Sequence, residues 1–399
     1  MLDASHPAAA RALPPPAAEA DPQQNFRFFD NRQKYLMFVN TCSEKWVVAG
    51  RVALEFAQIR PRPPAIRLFD AGVGDGTVLT RVLRAMHHRF ERLPFYIVGK
   101  EISLEDVRLS LEKLPDRFIE HPPTVFVMTN MNYAEAPWLE PSAPEAGERL
   151  VWHELVLTGN TSASFEQQIT ELQPWLAEHW KARVSKKSGN PVYEKPVVLV
   201  VYREDCRFVL DAVLPRRGGR RADFDVIIAS QPYRARAPIE FKAGRVLGPL
   251  ARSLAPGGRM IGLHSFGEDP GLELIRKIWP GESPFTTGRR DLLRAVKTAL
   301  GAEAREFNFT AYPDGRSRFR YDMHTLPNEI GSSAASIGTS TLFAAWNAAT
   351  YVAQIEDHRL AAAMRDDAYL EATREILQRY ECLWFWDESF VVSRKREAQ

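Results

Sequence analysis

Cysteine is scarce: three thiols in 399 residues, Cys42, Cys206 and Cys382, each more than 150 residues from the next. That spacing excludes a CxxC metal knuckle and a disulfide framework, and it suits a reducing compartment. No run of 18 apolar residues occurs, so no membrane-spanning helix is expected. Nor does one sign of charge dominate. The 52 Lys and Arg against 50 Asp and Glu leave +2, too little for a field that tracks a phosphate backbone over many contacts, and a nucleic-acid partner is disfavoured. The start of the chain, MLDASHPAAARALPPPAAEADPQQ, lacks the basic head and leucine-rich middle of a secretion signal, so a cytoplasmic protein is expected. These Ala- and Pro-rich residues 1–24 cannot bury enough apolar area to offset ordering entropy and read as a disordered tail. What the chain does have is 45% hydrophobic residues, enough for a sizeable core. Its length fits one large α/β core with additions.

From Phe26 to Ile59, aromatic and aliphatic residues recur at helical spacing and predict two helices, stopped by PRPPA at 61–65. A strand, IRLFDA (66–71), then a glycine loop (72–76), an amphipathic helix (77–90) and a second strand, FYIVGKEIS, make a βαβ unit. A helix over 104–114 leads to a third strand, TVFVMTN (124–130). The alternation predicts a parallel sheet with helices on both faces. The rhythm breaks between residues 141 and 222, which read as an inserted subdomain. It resumes with FDVIIAS (224–230), a helix over 241–254, the turn APGG (255–258) and the strand RMIGLHS. A helix over 291–300, the strands REFNFTAY and RFRYDMHTL, a helical stretch over 341–380 and a last strand, LWFWDESFVVSR, complete the pattern.

The most informative stretch is LFDAGVGDGTVL, with Gly72, Gly74 and Gly76 between a strand and a helix. Glycines let a backbone turn sharply and approach a ligand, and the helix start leaves free N–H groups facing it. A nicotinamide fingerprint would read G-x-G-x-x-G; here the spacing is G-x-G-x-G. DAGVGDGT resembles motif I of the class I S-adenosylmethionine-dependent methyltransferases, and VGKEIS resembles their second strand ending in an acid. The chain as a whole resembles bacterial methyltransferase-domain proteins.

The resemblance implies a Rossmann-like, seven-stranded α/β sheet with an antiparallel last strand, to which LWFWDESFVVSR corresponds, and S-adenosyl-L-methionine as cofactor. It implies that Glu101 bonds the ribose hydroxyls, that Asp70 lies near the methionyl end, and that Asn130 and Met131, after strand three, take the place of the adenine contacts. Asp75 and Ile102, within the two motifs, complete the expected cofactor set. ASQPYRA (229–235) resembles the (D/N/S)PPY motif of amino-group methyltransferases, with Gln231 in place of the first proline. It offers Ser230, Gln231 and Tyr233 on the acceptor side. His264, just past strand five, joins them as a candidate base, because ligands of open α/β sheets bind at the carboxyl ends of strands.

The chain thus divides into a tail (1–24), an N-terminal helical cap (25–60), a cofactor-binding half (61–140), an inserted subdomain (141–222), the second half of the core (223–330), a helical insertion (331–380), and the last strand with its tail (381–399). Two insertions around the acceptor side favour a closed pocket for a small-molecule acceptor; a protein or RNA substrate, a nicotinamide oxidoreductase and a non-catalytic binding module are the rivals. The aromatic stripe Tyr35, Phe38 and Trp46 reads as helix packing, with a lid over the cofactor as the alternative. The basic residues Lys181, Arg183, Lys186, Lys187, Arg216, Arg217, Arg220 and Arg221 read as a solvated loop. No metal site is expected.

Overall fold

Short apolar runs bounded by turns become buried strands. Ile66–Asp70 (β1), Phe95–Lys100 (β2) and Thr124–Thr129 (β3) are buried along almost their whole length. The structure, a computed structural model, describes residues 32–185, 190–219, 221–324 and 337–396. The tail expected at 1–24, the first residues of the cap, Lys186, Lys187 and Arg220 lie outside the described residues. Further strands are Val151–Leu157 (β4), Ala182–Val184 (β5), Pro191–Tyr193 (β6), Val197–Arg203 (β7), Phe224–Ser230 (β8), Leu254–Ser265 (β9), Phe307–Thr310 (β10), Arg318–Asp322 (β11) and Trp384–Arg394 (β12).

The main sheet has ten strands in the order β10-β12-β9-β8-β1-β2-β3-β7-β4, with β11 also paired to β12. β1, β2, β3, β8 and β9 run parallel, whereas β12 runs antiparallel to β9 and β10 antiparallel to β12. Counting β8, β9, β10 and β12 as the fourth to seventh strands of a core gives the order 3-2-1-4-5-7-6. The order reverses between β1 and β8, where an open sheet leaves a crevice at its carboxyl edge. Register brings Asp70 beside Gly99 and Ile228, and Ser230 beside Leu263, so the strand ends meet there.

Residues 141–222 do not form a body of their own. β7 pairs antiparallel with β3, and β4 parallel with β7, so the insertion lengthens the sheet; only β5 and β6 form a separate hairpin. The physical reason lies in VVLVVYR, whose seven residues are all buried and would leave an apolar ladder in water without the open edge of β3. The helix pair Ser162–Glu171 and Gln173–His179 covers one face, with Phe165, Ile169, Leu176 and Trp180 in the same apolar cluster as β1 to β3. A helix over Pro270–Ile278 went unread in the sequence, although Asp269 caps it through the Leu272 N–H and Pro270 opens it.

The helical cap and the late helical insertion are one layer. Helices Arg32–Thr41 (α1) and Thr339–Val352 share a cluster containing Tyr35, Phe38, Trp346 and Tyr351. Glu44–Ala53 (α2) is tied to the sheet through buried ions: Arg51 donates to Ser389 and Glu55, and Arg259 donates to Glu55. Among the described residues no helix is long and apolar enough to cross a membrane.

Candidate functional site at the carboxyl edge of the sheet

β1 delivers Asp70 to the crevice, and the loop that follows turns through two left-handed glycines, Gly74 (φ 55°) and Gly76 (φ 81°), into the helix Thr77–Arg89 (α3). Each glycine meets a different demand. A Cβ on Gly76 would stand 2.8 Å from Ser110 Cα, so it is the close approach of helix Leu104–Glu112 (α4) that excludes a side chain. A Cβ on Gly74 would stand 2.7 Å from the Tyr35 hydroxyl. At Gly72 it would meet nothing within 4 Å. The open side of the loop is therefore at Gly72, and the space above Gly74 belongs to the cap.

Tyr35 is the cap's grip on the loop. Its hydroxyl donates to Asp75 Oδ1 at 3.0 Å and accepts from the Asp75 N–H at 3.1 Å. Arg32, on the same helix, pairs with Asp106 at 3.0 Å. The expected cofactor ligand Asp75 is fully engaged in this staple, because Lys113 Nζ donates to it at 2.6 Å and the Thr77 hydroxyl donates as well. Its carboxyl lies below the ordinary range: burial opposes this, but Lys45, Lys113 and Thr77 outweigh it. Asp75 thus holds the loop rather than facing its open side. The aromatic stripe divides, since Tyr35 and Phe38 are buried while Trp46 is exposed, under the Arg81 guanidinium.

Asp70 and Glu101 flank the opening. Asp70 is buried and accepts the Gly72 N–H at 3.1 Å. Burial pushes its pKa up to about 7, with the charge of Glu101 adding and the Gly72 bond and Lys45 opposing. Glu101, half-buried at the end of β2, accepts from Gly74 N at 3.0 Å, Ile102 N at 2.8 Å and Ser103 N at 2.9 Å. A carboxylate has about four lone-pair sites, so three are used in fixing the acid against the glycine loop. Ile102 is half-buried beside it. The inserted helix pair reaches this place too, as the Trp180 indole donates to the Glu101 carbonyl at 3.2 Å.

Asn130 and Met131, expected beside the adenine, are both buried. The Asn130 amide donates to Lys195 O at 3.0 Å and accepts from Val197 N at 2.9 Å, pinning the start of β7. Met131 is fully buried in the apolar cluster that also holds Phe69 and Ala71. An asparagine at that position satisfies a donor and an acceptor of the added strand at once, a need invisible before β7 is known to lie beside β3.

On the acceptor side, Ser230 is half-buried at the end of β8, and Gln231 takes a left-handed conformation (φ 47°), unusual for a non-glycine residue, while donating to the Ser265 hydroxyl at 2.9 Å. Tyr233 and His264 come together: the Tyr233 hydroxyl lies 3.2 Å from His264 Nδ1. Behind them stands a pair the sequence reading missed. His264 Nε2 lies 2.9 Å from Glu388, which accepts from the Arg289 N–H and guanidinium at 2.6 Å each. Burial raises the Glu388 pKa, but the bonds from His264 and Arg289 prevail and hold it low. An ionised Glu388 places the imidazole proton on Nε2, so Nδ1 accepts from Tyr233. The only advance signal was WDES, two acids inside an apolar strand.

The chain matches no protein-family model and no curated protein. It is similar in structure to geranyl diphosphate methyltransferase bound to GPP and sinefungin, at 10% identity and TM-score 0.31, over 86% of this chain and 77% of that one. It is also similar to a structure concerned with conversion of a disulfide bond into a thioacetal group during echinomycin biosynthesis (12%, TM-score 0.33, 88% and 82%), and to an rRNA methyltransferase from Streptomyces viridochromogenes (14%, TM-score 0.22, 54% and 72%). The strand order and the reversed last strand decide the architecture. The fold is that of the class I methyltransferases. The methyltransferase sheet is extended here by β7 and β4 on one side and β11 on the other.

Two further ionisable residues were not read from the sequence. Lys45 reaches from α2 toward the loop: burial works against its charge, but Glu44, at 3.2 Å, and then Tyr351 and Asp75 hold its pKa above the usual lysine value. Asp387, paired with Ser265 across β12 and β9, is fully buried, and burial followed by the charge of Glu44 pushes its carboxyl pKa well above the usual range. The basic residues expected to be solvated are so where described: Arg216 is exposed and Arg221 pairs with Asp223. Among the described residues no cluster could hold a metal ion.

Proposed function

We propose that the protein is an S-adenosyl-L-methionine-dependent methyltransferase acting on a small-molecule acceptor. The observation that carries the cofactor reading is the opening at Gly72, with no atom within 4 Å of a Cβ there, between the carboxyl groups of Asp70 and Glu101. The donor set suits the ligand. A sulfonium and an ammonium group favour nearby carboxylates, and Asp70, desolvated and next to Glu101, gains a counter-charge from them. Asp70, Gly72, Glu101 and Ile102 would hold the cofactor. When bound, it supplies an activated methyl group open to in-line attack.

The residues of this chain then have to orient the acceptor and exclude water, which supply much of the advantage in such a transfer. Tyr35 and Asp75 fix the loop. Tyr233, only 6% exposed, and His264, 5% exposed, sit at the acceptor side. Such burial supports a small molecule, since a protein or RNA chain needs an open groove over the reacting group. The Glu388–His264–Tyr233 chain would give the acceptor side a proton path: Tyr233 can take the acceptor's proton as it passes its own to Nδ1, so it stays a neutral phenol, and the resulting imidazolium is held by Glu388.

Titration of the protein with S-adenosyl-L-methionine and, separately, NADH tests the cofactor. Binding of the first alone is expected, and binding of NADH alone overturns the reading. Incubation with methyl-labelled cofactor and cell extract tests the acceptor. Label is expected in small molecules; label confined to protein or RNA would refute the small-molecule assignment.

A further inference from the structure

Lys242, in the helical run that follows β8, is only 2% exposed. Its ammonium donates to the Ala235 carbonyl at 2.7 Å and to the Thr287 hydroxyl at 3.2 Å. Among the described residues no carboxylate pairs with it. The Tyr233 ring lies 5.3 Å from Nζ, which contributes about 0.5–2 kcal/mol, against a desolvation cost of several kcal/mol for a buried ion. A charge so placed lacks a counter-ion. It also lines a cavity of about 10 Å³, room for one water-sized atom such as a single carboxylate oxygen, together with Gln231, Tyr233, His264, Ser265 and Thr287, at the carboxyl edge of β8 and β9. Thr287 accepts from Lys242 and so keeps its own O–H to donate.

We propose that this cavity is an anion subsite in which Lys242 and Thr287 bind a carboxylate group. The assignment of that carboxylate to the methyl acceptor rests on the function proposed above; the anion site itself does not. A carboxylate supplies the missing counter-charge and accepts from both donors, and a single cation among neutral partners suits a monoanion better than a phosphate dianion. The titratable groups that face Lys242 are Tyr233, whose phenol burial holds well above its usual range, and His264, with Glu388 and Arg289 behind it as an internal pair. None supplies an unpaired negative charge. Burial lowers the Lys242 pKa to about 8, so anion binding takes up a proton above that pH.

Calorimetric titration of the full chain with sodium acetate, and separately with inorganic phosphate, tests the proposal. Acetate is expected to bind in the millimolar range and about tenfold or more weaker to Lys242→Met. In the unmodified protein, affinity should fall about tenfold per pH unit above pH 8, with proton uptake on binding. This second measurement stands even if the variant fails to fold. Acetate binding that is absent, independent of pH between 7 and 9, or unchanged in a folded Lys242→Met protein overturns the site. Phosphate binding tighter than acetate overturns the carboxylate assignment. S-adenosyl-L-methionine is titrated in parallel: its failure to bind would sink the proposed function while leaving the anion result to be judged alone.

Discussion

Substituting valine at Gly72 and at Gly74 separates a ligand space from a packing space within three residues. At Gly72 a Cβ meets nothing within 4 Å, and the Gly72 N–H to Asp70 is retained. Folding stability should therefore change by no more than about 0.5–1 kcal/mol, and loss of glycine's freedom in the unfolded chain acts in the stabilising direction. The isopropyl group instead fills the opening between Asp70 and Glu101, and S-adenosyl-L-methionine affinity should fall by about 10- to 100-fold, equivalent to about 1.4–2.8 kcal/mol. At Gly74 the order inverts. A side chain there pays about 1–2 kcal/mol for the left-handed backbone and pushes aside the Tyr35 hydroxyl, 2.7 Å from the new Cβ. Two hydrogen bonds to Asp75 go with it, at about 0.5–1.5 kcal/mol each. Gly74→Val should thus cost about 2–5 kcal/mol of stability. Thermal melts and calorimetric titration of both variants check this. A folded Gly72→Val protein with unchanged cofactor affinity refutes the placement of the site.

Three more expectations come from individual side chains. The folded-state pKa of Asp70, about 7, lies above its unfolded value, so the stability tied to its protonated form is complete below about pH 4 and is lost as pH rises toward 7; cofactor affinity should climb over the upper part of that range and lose its pH dependence in Asp70→Asn, as binding measured from pH 5 to 8 would reveal. Asn130→Ala leaves the Lys195 carbonyl and Val197 N–H without their partner and should cost about 2–4 kcal/mol with little effect on cofactor affinity; the reverse pattern, in denaturation and titration, would restore Asn130 to the adenine site. Glu388→Gln removes one of the two carboxylates from the buried Arg289 cation, which keeps Asp314, and should cost about 1.5–3 kcal/mol. Because the Glu388 pKa is depressed, its contribution is present at neutral pH and is lost as pH falls, so the gap between this variant and the parent in chemical denaturation should narrow in acid.

The local alternation of apolar strands, glycine loop and amphipathic helices determined the parallel core, because each of those signals acts between residues close in the chain. β1, the loop at 72–76, α3 and β2 were legible for that reason, as was Glu101, whose place at a strand end follows from the βαβ unit itself. Contacts across long separations were not legible. VVLVVYR reads as an apolar strand, yet only the free edge of β3 decided that it joins the main sheet and turns Asn130 into its anchor. Tyr35 reads as helix packing, and only the folded cap put its hydroxyl on Gly74 and Asp75. Glu388 and Lys242 stand 124 and 22 residues from His264 in the chain and meet its surroundings through strand pairing and helix packing. Periodicity reports which face of an element is buried; which charges share that burial is set by tertiary neighbours, and those decide the pKa values and the proton path.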